Sequence, residues 1–279
     1  MSTLTVAAVA ANFGRDLGDC FTRIEVLLRD ARAHGARLVV LPEATLGGYL
    51  ADLDGRAAVA LPPALDLDGP ELRRLAALAG DLVVTAGLCE ADGDTRYNTA
   101  VAVTGDGVLG VHRKVHQPLG EGASYAAGGC FEAFDSPIGR LGMMICYDKA
   151  FPEAARALAV DGAEIICCMS AWPAARTNPA PEVADDRWTR RFDLFDRARA
   201  LENQVLWVSA NQSGTFGSMR FVASAKVVDS GGDVLATTGT AGGTAYASVE
   251  LHPMLANARA GMFHLRDRRP DAYAMRVGA

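Results

Sequence analysis

Short apolar segments recur along the whole chain and are separated by more polar stretches. Apolar runs of this kind, bounded by turn-forming residues, are typical of buried strands. They predict strands over residues 4–9, 38–41, 82–88, 100–103, 141–145, 165–169, 205–210 and 226–228.

Helical spacing of apolar residues appears between several of these strands. Two groups would each form one face of an amphipathic helix; they are Phe21, Ile24, Leu27, Leu28 and Ala31 in one, and Trp188, Phe192 and Phe195 in the other. A third helix is predicted from Pro152 to just before Gly162, because proline suits the first helical turn and glycine suits the left-handed position after the last one. Strands that alternate with helices predict an α/β protein.

The pattern changes between about residues 214 and 250, where strand-like segments are joined by glycine-rich turns such as DSGGDVL and GTAGGTA. Turns of this composition between short strands predict β-hairpins. The sheet is therefore expected to contain antiparallel pairs as well as parallel ones.

Composition narrows the class of protein. The chain has 279 residues, half of them hydrophobic, which is enough to bury the core of one domain over residues 1–279. A net charge of -6 and the lack of a basic stripe argue against a nucleic-acid partner.

The N-terminal segment lacks signal-peptide features, and no apolar run approaches the ~20 residues that span a bilayer, so we expect a cytoplasmic protein without membrane contact. The six cysteines form no CxxC pair and are expected to be reduced thiols.

Two motifs resemble binding sites without their usual surroundings. GDGVLG at residues 105–110 matches a dinucleotide fingerprint, but β-branched residues follow it where that fingerprint needs a helix. A hairpin turn at Asp106-Gly107 is the favoured interpretation. His112 and His116 have the spacing of a metal pair on a helix, yet they follow a strand-like segment and have no evident third ligand, so ordinary polar side chains are favoured.

Three apolar strands each deliver a reactive side chain at or just beyond their ends: Glu43 in LVVLPEA, Lys114 in LGVHRKVHQP and Cys146 in LGMMICYD. Alone, Cys146 would be an inert core thiol, and Glu43 and Lys114 would be surface charges or an ion pair. Together they supply what amide hydrolysis requires. Glu43 can remove the thiol proton, and Lys114 with the backbone N–H of Tyr147 can stabilise the oxyanion that forms when sulfur attacks a carbonyl carbon. A sharp turn after Cys146 would present the thiol for this attack.

These segments resemble the three motifs of the nitrilase superfamily of carbon–nitrogen hydrolases, in that family's order: LVVLPEATLGGY, HRKVHQP and GMMICYDKAFPEAARALAVDGAEII. The resemblance extends over almost the entire chain. It implies a four-layer αββα sandwich, with Glu43 as general base, Lys114 as oxyanion stabiliser and Cys146 as nucleophile. It also implies no cofactor and no metal, and subunits that pair as a homodimer or a higher homo-oligomer. We expect the C-terminal tail from about residue 252 to cross the surface or meet a partner subunit.

Glu121 occupies the place of a second glutamate found in many members of the family, between the lysine and Gly128. The resemblance implies that it positions substrate or water and tunes the pKa of Glu43 and Lys114, since close like charges raise carboxylate pKa values. The segment KVHQPLGE is shorter than in many relatives, so a solvated loop glutamate remains an alternative.

The substrate is less closely determined. Candidate binding residues follow or lie near the reactive segments; they are Tyr49, Tyr125, Tyr147, Phe151 and Trp172, with Asp148 and Lys149 available to a charged substrate end. An aromatic side chain at such a place can equally be packing. The segment CYDKAFPE resembles the amidase and carbamoyl-hydrolase branches more than the nitrilases. Hydrolysis of a non-peptide amide or N-carbamoyl C–N bond by water is therefore favoured, and nitrile hydrolysis is the alternative. A non-catalytic binding relative and an acyltransferase remain open.

Overall fold

The computed structural model describes residues 3–55 and 61–273 of the chain. Five α-helices occur in these ranges: α1 (Leu17–Ala33), α2 (Pro70–Ala79), α3 (Pro152–Val160), α4 (Arg187–Asn203) and α5 (Leu251–Ala260). The strands there are β1 (Leu4–Ala11), β2 (Leu38–Val40), β3 (Ala64–Leu65), β4 (Val83–Asp92), β5 (Thr95–Thr104), β6 (Gly107–Arg113), β7 (Phe134–Ser136), β8 (Gly139–Ile145), β9 (Ile165–Ser170), β10 (Leu206–Gln212), β11 (Thr215–Phe216), β12 (Met219–Arg220), β13 (Lys226–Val228), β14 (Val234–Thr237) and β15 (Gly243–Val249).

The main sheet bends into two halves at the junction of β1 and β10. These strands pair only through Ala10 with Asn211 and Ala11 with Gln212. Away from this corner β1 pairs antiparallel with β15, whereas β10 pairs antiparallel with β13. One half has the order β6-β5-β4-β2-β1-β15 and the other β7-β8-β9-β10-β13-β14. The strands next to the corner, β4-β2-β1 and β10-β9-β8, run parallel within each half.

Alternation of side chains along these strands produces four layers, because successive residues point to opposite faces of a sheet. Val6 and Ala8 of β1 share a core with Met143 and Ile145 of β8, which lies between the two halves. Ala7 and Val9 point the other way and pack with α1 and α2. On the far side, Met144 and Ile166 pack against α3 and α4. The predicted αββα sandwich is confirmed.

Most predicted elements are present. Each predicted strand overlaps an observed one, and α1, α3 and α4 cover the three predicted helices. The hairpin turn at Asp106-Gly107 joins β5 to β6, so no helix follows GDGVLG. Helices α2 and α5 were not predicted. No helix within residues 3–55 and 61–273 combines the length and apolar character that a membrane crossing requires.

One predicted hairpin is wrong. DSGGDVL joins β13 to β14 as expected, but the strand after GTAGGTA, β15, pairs with β1 over seven residues and not with β14. The physical reason is burial, since Ala245, Ala247 and Val249 enter the core between the sheets, whereas β14 is largely exposed. The predicted tail includes most of α5 and a 3-10 helix, Pro270–Tyr273. Its residues 274–279 lie outside the described part, and its contact with a partner subunit stays a prediction.

Candidate active site

The structure brings Glu43, Lys114 and Cys146 together below the surface, at one end of the inner sheets. Lys114 and Cys146 directly follow β6 and β8, and Glu43 lies three residues beyond β2. Glu43 and Lys114 are fully buried and Cys146 is 4% exposed. Charges of this kind are buried only when they are paired, and the Lys114 Nζ atom lies 2.7 Å from Glu43 Oε1. The residues are distant in sequence, so the sheet topology assembles the cluster.

The Glu43 carboxylate is held from three directions. Lys114 and Asn98 each donate to Oε1 at 2.7 Å, and the backbone N–H of Ala171 donates to Oε2 at 2.6 Å. Gln212 holds the main chain by donating to the Glu43 carbonyl at 2.9 Å. A carboxylate offers about four acceptor positions. Three are filled, and one on Oε2 is left to accept a proton from another group.

Glu121 belongs to the same cluster and is fully buried, which excludes the alternative of a solvated loop residue. Its Oε1 accepts hydrogen bonds from Tyr49, Asn98 and Lys114 at 3.0, 2.7 and 3.1 Å, and its Oε2 lies 2.8 Å from Lys114 Nζ. Burial raises the pKa of Glu121, and the nearby Glu43 adds to the rise, whereas Lys114 opposes it. Its role in a reaction stays a prediction.

Lys114 is a permanent cation between these two carboxylates. Burial by itself would lower the pKa of Lys114, but the charges of Glu121 and Glu43 outweigh burial and raise the pKa well above its ordinary value. The ammonium group therefore keeps its charge across the physiological pH range. A fixed buried cation of this kind is suited to stabilising a negative charge that develops beside it.

Cys146 begins a tight turn, as the sequence led us to expect. Its φ is +49°, a left-handed conformation that is uncommon for a residue with a side chain, and the 3-10 helix Cys146–Ala150 starts there. The side chain lines a cavity. Burial raises the pKa of the thiol well above its ordinary value, and Glu43 adds to this, while Lys114 and Lys149 oppose it. The free protein thus holds a neutral thiol, which needs a base to become a nucleophile.

Asp148 does not face the cavity, contrary to the expectation that it meets substrate. It is fully buried, and its carboxylate accepts from the backbone N–H groups of Ile145 and His116 and bonds to the rings of His112 and His116 at 3.1 and 3.0 Å. The two histidines, one on each side of Lys114, thus tie this segment to the turn at Cys146. Burial would raise the pKa of Asp148, but these hydrogen bonds hold it below its ordinary value.

No group of three or more possible metal ligands occurs among the described residues.

Lys149 is likewise engaged elsewhere. Its ammonium lies 2.8 Å from Asp196 of α4 and over the Phe192 ring, in a fully buried position. Asp196 also accepts from Lys226 at 3.0 Å and from the Trp207 indole at 2.9 Å. A charged substrate end therefore does not reach Lys149, because its charge is already paired beneath the site.

The cavity in front of Cys146 has a volume of about 560 Å³. Three of the candidate binding residues line it, Tyr49, Tyr147 and Trp172; their contact with substrate stays a prediction. Tyr125 is buried behind the wall in a cluster with Tyr49, and Phe151 stacks on the His116 ring at 3.7 Å between centroids. These two residues therefore support the site and are not part of the wall.

Several groups that the fold brings to the site were not predicted from the sequence. Asn98 is the clearest case, because its amide donates to both Glu43 and Glu121. A polar amide in the otherwise apolar strand segment NTAVAV was a usable signal. Arg176, Arg187 and Arg191, which also line the cavity, had no comparable signal, since arginines in and after a loop are usually surface charges.

Comparisons with known proteins identify chains that are similar to this one. The family model described as carbon-nitrogen hydrolase matches residues 5–256. A protein of Pyrococcus abyssi named nitrilase is 32% identical over 260 residues, which cover 91% of this chain and 92% of that protein. The human omega-amidase NIT2 is 27% identical, with 99% of each chain covered. The crystal structure of a carbon-nitrogen hydrolase from Helicobacter pylori superposes with a TM-score of 0.81 at 25% identity, over 97% of each chain.

Proposed function

Because the chain belongs to the carbon–nitrogen hydrolase family, whose members act on non-peptide C–N bonds, we propose that it hydrolyses an amide or N-carbamoyl compound through a thioester on Cys146. One observation carries the proposal. A thiol at the inner end of the cavity shares a buried cluster with the Glu43 carboxylate and the Lys114 ammonium. Nucleophile, base and cation are the groups that acyl transfer from an amide requires.

In the first half of the reaction, the free lone pair of Glu43 accepts the thiol proton while sulfur bonds to the carbonyl carbon. The π electrons of the C=O bond move to oxygen, and Lys114 and the Tyr147 N–H stabilise this oxyanion. The C–N bond then breaks. Glu43 gives its proton to the departing nitrogen, so that ammonia or an amine leaves and the acyl group remains on sulfur.

Water completes the cycle in the second half. Glu43 removes a proton from water as the oxygen attacks the thioester carbon, and the C–S bond breaks when the tetrahedral intermediate collapses. The proton on Glu43 returns to the sulfur, and the product acid is released: a carboxylic acid from an amide, or from an N-carbamoyl compound a carbamic acid, which breaks down to carbon dioxide and ammonia or amine. Substrate and water are thereby converted to acid and ammonia or amine, with Cys146 regenerated.

Glu121 and Asn98 act through the other groups in this scheme. Asn98 donates to both carboxylates and fixes the spacing between them, while Glu121 holds the Lys114 ammonium in place. Burial raises the pKa of Glu121, and its oxygens are already engaged by Tyr49, Asn98 and Lys114. We therefore assign Glu121 to positioning Lys114 and water rather than to attack.

The test is ammonia release from purified protein over a panel of primary amides, N-carbamoyl amines and acids, and nitriles. We expect release from one of the first two classes, its loss in Cys146→Ala, and its retention in Cys130→Ser, which changes an exposed thiol. Release from nitriles alone would assign the alternative chemistry.

Three other outcomes would reject the proposal. Turnover by folded Cys146→Ala protein would remove Cys146 from the nucleophile's role. No release from any class, with no alkylation of Cys146, would indicate a non-catalytic relative. A third result would indicate acyl transfer in place of hydrolysis. In that case the amide is lost only when Cys146 is present, the acyl group is recovered on added hydroxylamine, and little free acid forms when hydroxylamine is left out.

A further inference from the structure

The charged side chains that line the cavity are all of one sign. Arg176, Arg187 and Arg191 contribute to its wall, and the described residues that line it include no aspartate or glutamate. The inner end is formed by buried groups, among them Cys146 and Ala171, whereas Arg176 and Arg191 are exposed and Arg187 is half-buried. The positive charges therefore lie toward the solvent end, away from the nucleophile.

We propose that Arg187 and Arg191, assisted by Arg176, bind a carboxylate at the end of the substrate remote from the scissile carbon. The inference rests on the proposed function and names its substrate class: amides or N-carbamoyl compounds that are themselves acids. Neutral amides are poor substrates by comparison.

The hydrogen bonds of each arginine leave capacity for such a ligand. Arg187 donates to the carbonyls of Asn178 and Thr177 and to the Thr177 hydroxyl, which fixes its side chain and leaves about two of its five N–H groups. Arg176 is partly neutralised by Asp52 at 3.3 Å. Arg191 lies over the Trp188 ring at 4.7 Å and has no hydrogen bond or ion pair within the described part of the chain.

The nearest acid of the same segment is committed elsewhere. Asp186 caps the start of α4 and is almost fully buried. Its two oxygens accept from the backbone N–H groups of Ala175, Trp188 and Ala180. It moderates the field of Arg187, but it is buried and is not among the described residues that line the cavity. An anion from outside is the complement that the arginines lack.

The chemistry favours a carboxylate joined to an apolar spacer. The guanidinium group is a planar fork that matches the two oxygens of a carboxylate. Between the arginines and Cys146 the cavity wall is formed mainly by apolar groups, including Leu53, Trp172 and Trp188. A hydrocarbon segment fits these walls, with the C–N carbon at Cys146 and the carboxylate at the mouth.

The experiment compares each of succinamate, glutaramate and adipamate with its neutral methyl ester, by amide-dependent ammonia release. For at least one of the acids, we expect kcat/KM to exceed that of its ester by about tenfold or more. The ester lacks the charge-assisted hydrogen bond that the carboxylate makes, and a loss of this size is expected from that bond. Arg191→Gln should lower kcat/KM for that acid by about tenfold, mainly through KM, and leave the ester unchanged. Added NaCl should lower the rate for the acid only.

Arg190→Gln is the matched control, because Arg190 is the exposed neighbour of Arg191 on the same helix and does not line the cavity. It should leave both substrates unchanged. Equal kcat/KM for acids and esters, or equal effects of Arg190→Gln and Arg191→Gln, would overturn the carboxylate site. Cys146-dependent release from neutral amides in that case would leave the proposed hydrolase function standing, whereas no Cys146-dependent release from any amide or N-carbamoyl compound would reject that function itself.

Discussion

The buried charge cluster below Cys146 allows a sharp test of how this fold is held together. Asp196 is fully buried and is the only carboxylate within ion-pair distance of Lys149 among the described residues. Lys226 has a second partner, Asp193, at 2.8 Å, whose side chain is 49% exposed. Asp196→Asn therefore removes the whole counter-charge of one buried lysine and part of that of another, with almost no change in volume.

The expected cost is large. Removing one partner of a buried ion pair leaves an uncompensated charge and destabilises a protein by about 3–5 kcal/mol. Contact with the Phe192 ring offsets only part of this for Lys149, because a cation–π contact contributes about 2 kcal/mol even when desolvated. Since domains are stable by about 5–15 kcal/mol, the variant should lose a substantial share of its stability.

The assay is urea unfolding at fixed protein concentration, with Asp193→Asn as the control. Asp193 is on the same helix and binds the same Lys226, but it is half exposed, so its removal should cost at most about 1 kcal/mol. Lys149→Met combined with Asp196→Asn should recover part of the loss, because the unpaired cation is then absent. A loss below about 1 kcal/mol in Asp196→Asn, or equal losses in both single variants, would refute the reasoning.

The pH dependence has a definite sign. Burial alone would raise the pKa of Asp196, but Lys149 and Lys226 outweigh it and hold the pKa below the ordinary 3.8. A carboxylate whose pKa is lower in the folded state stabilises the fold above its unfolded pKa, and this contribution is lost as pH falls. The difference in stability between the natural protein and Asp196→Asn should stay constant well above pH 3.8 and shrink as pH falls below 3.8.

Three further outcomes follow from the site. Lys114→Met should lower kcat by about a hundredfold or more, the cost of one lost oxyanion donor; a decrease below about threefold in steady-state kinetics would contradict its assignment. Asp148→Asn should destabilise the protein by about 1–3 kcal/mol, because a buried carboxylate that serves two histidines and two backbone N–H groups is lost; an unchanged urea midpoint would contradict this. In a Cys130→Ser background, iodoacetamide should label Cys146 faster than the four other thiols, which are buried and do not line the cavity. The Cys146 rate should rise with pH, because its pKa is raised, and should fall in Glu43→Gln; mass spectrometry that finds Cys167 labelled as fast as Cys146 would argue against an activated thiol.

Much of the fold could be predicted because it depends on local pattern. Continuous apolar runs such as residues 165–169 indicate strands buried on both faces, and these are the strands that lie between the two layers of helices. The partner of β15 could not be predicted, because GTAYASV offers the same alternating face to any neighbour. Burial decided that β15 pairs with β1, because this position places Ala245 and Ala247 in the core between the sheets.

The candidate site likewise has residues that the sequence predicts and partners that it does not predict. Glu43, Lys114 and Cys146 each stand at a strand end, a position that periodicity reveals, and the order of the three segments carries the family resemblance. Their partners do not follow from any local pattern. Lys114 meets Glu43 across 71 positions, and Glu43 meets the N–H of Ala171 across 128.

The sequence by itself therefore determined which residue types stand at strand ends and which faces are apolar, since both depend on neighbours a few positions away. Tertiary structure alone decided that Asp148 binds two histidines, that Lys149 pairs with Asp196, and that three arginines converge on one cavity. The reason is that burying a charge is costly unless a partner compensates it. Which partner is available depends on which distant segments the fold brings together, and short-range sequence patterns do not encode that geometry.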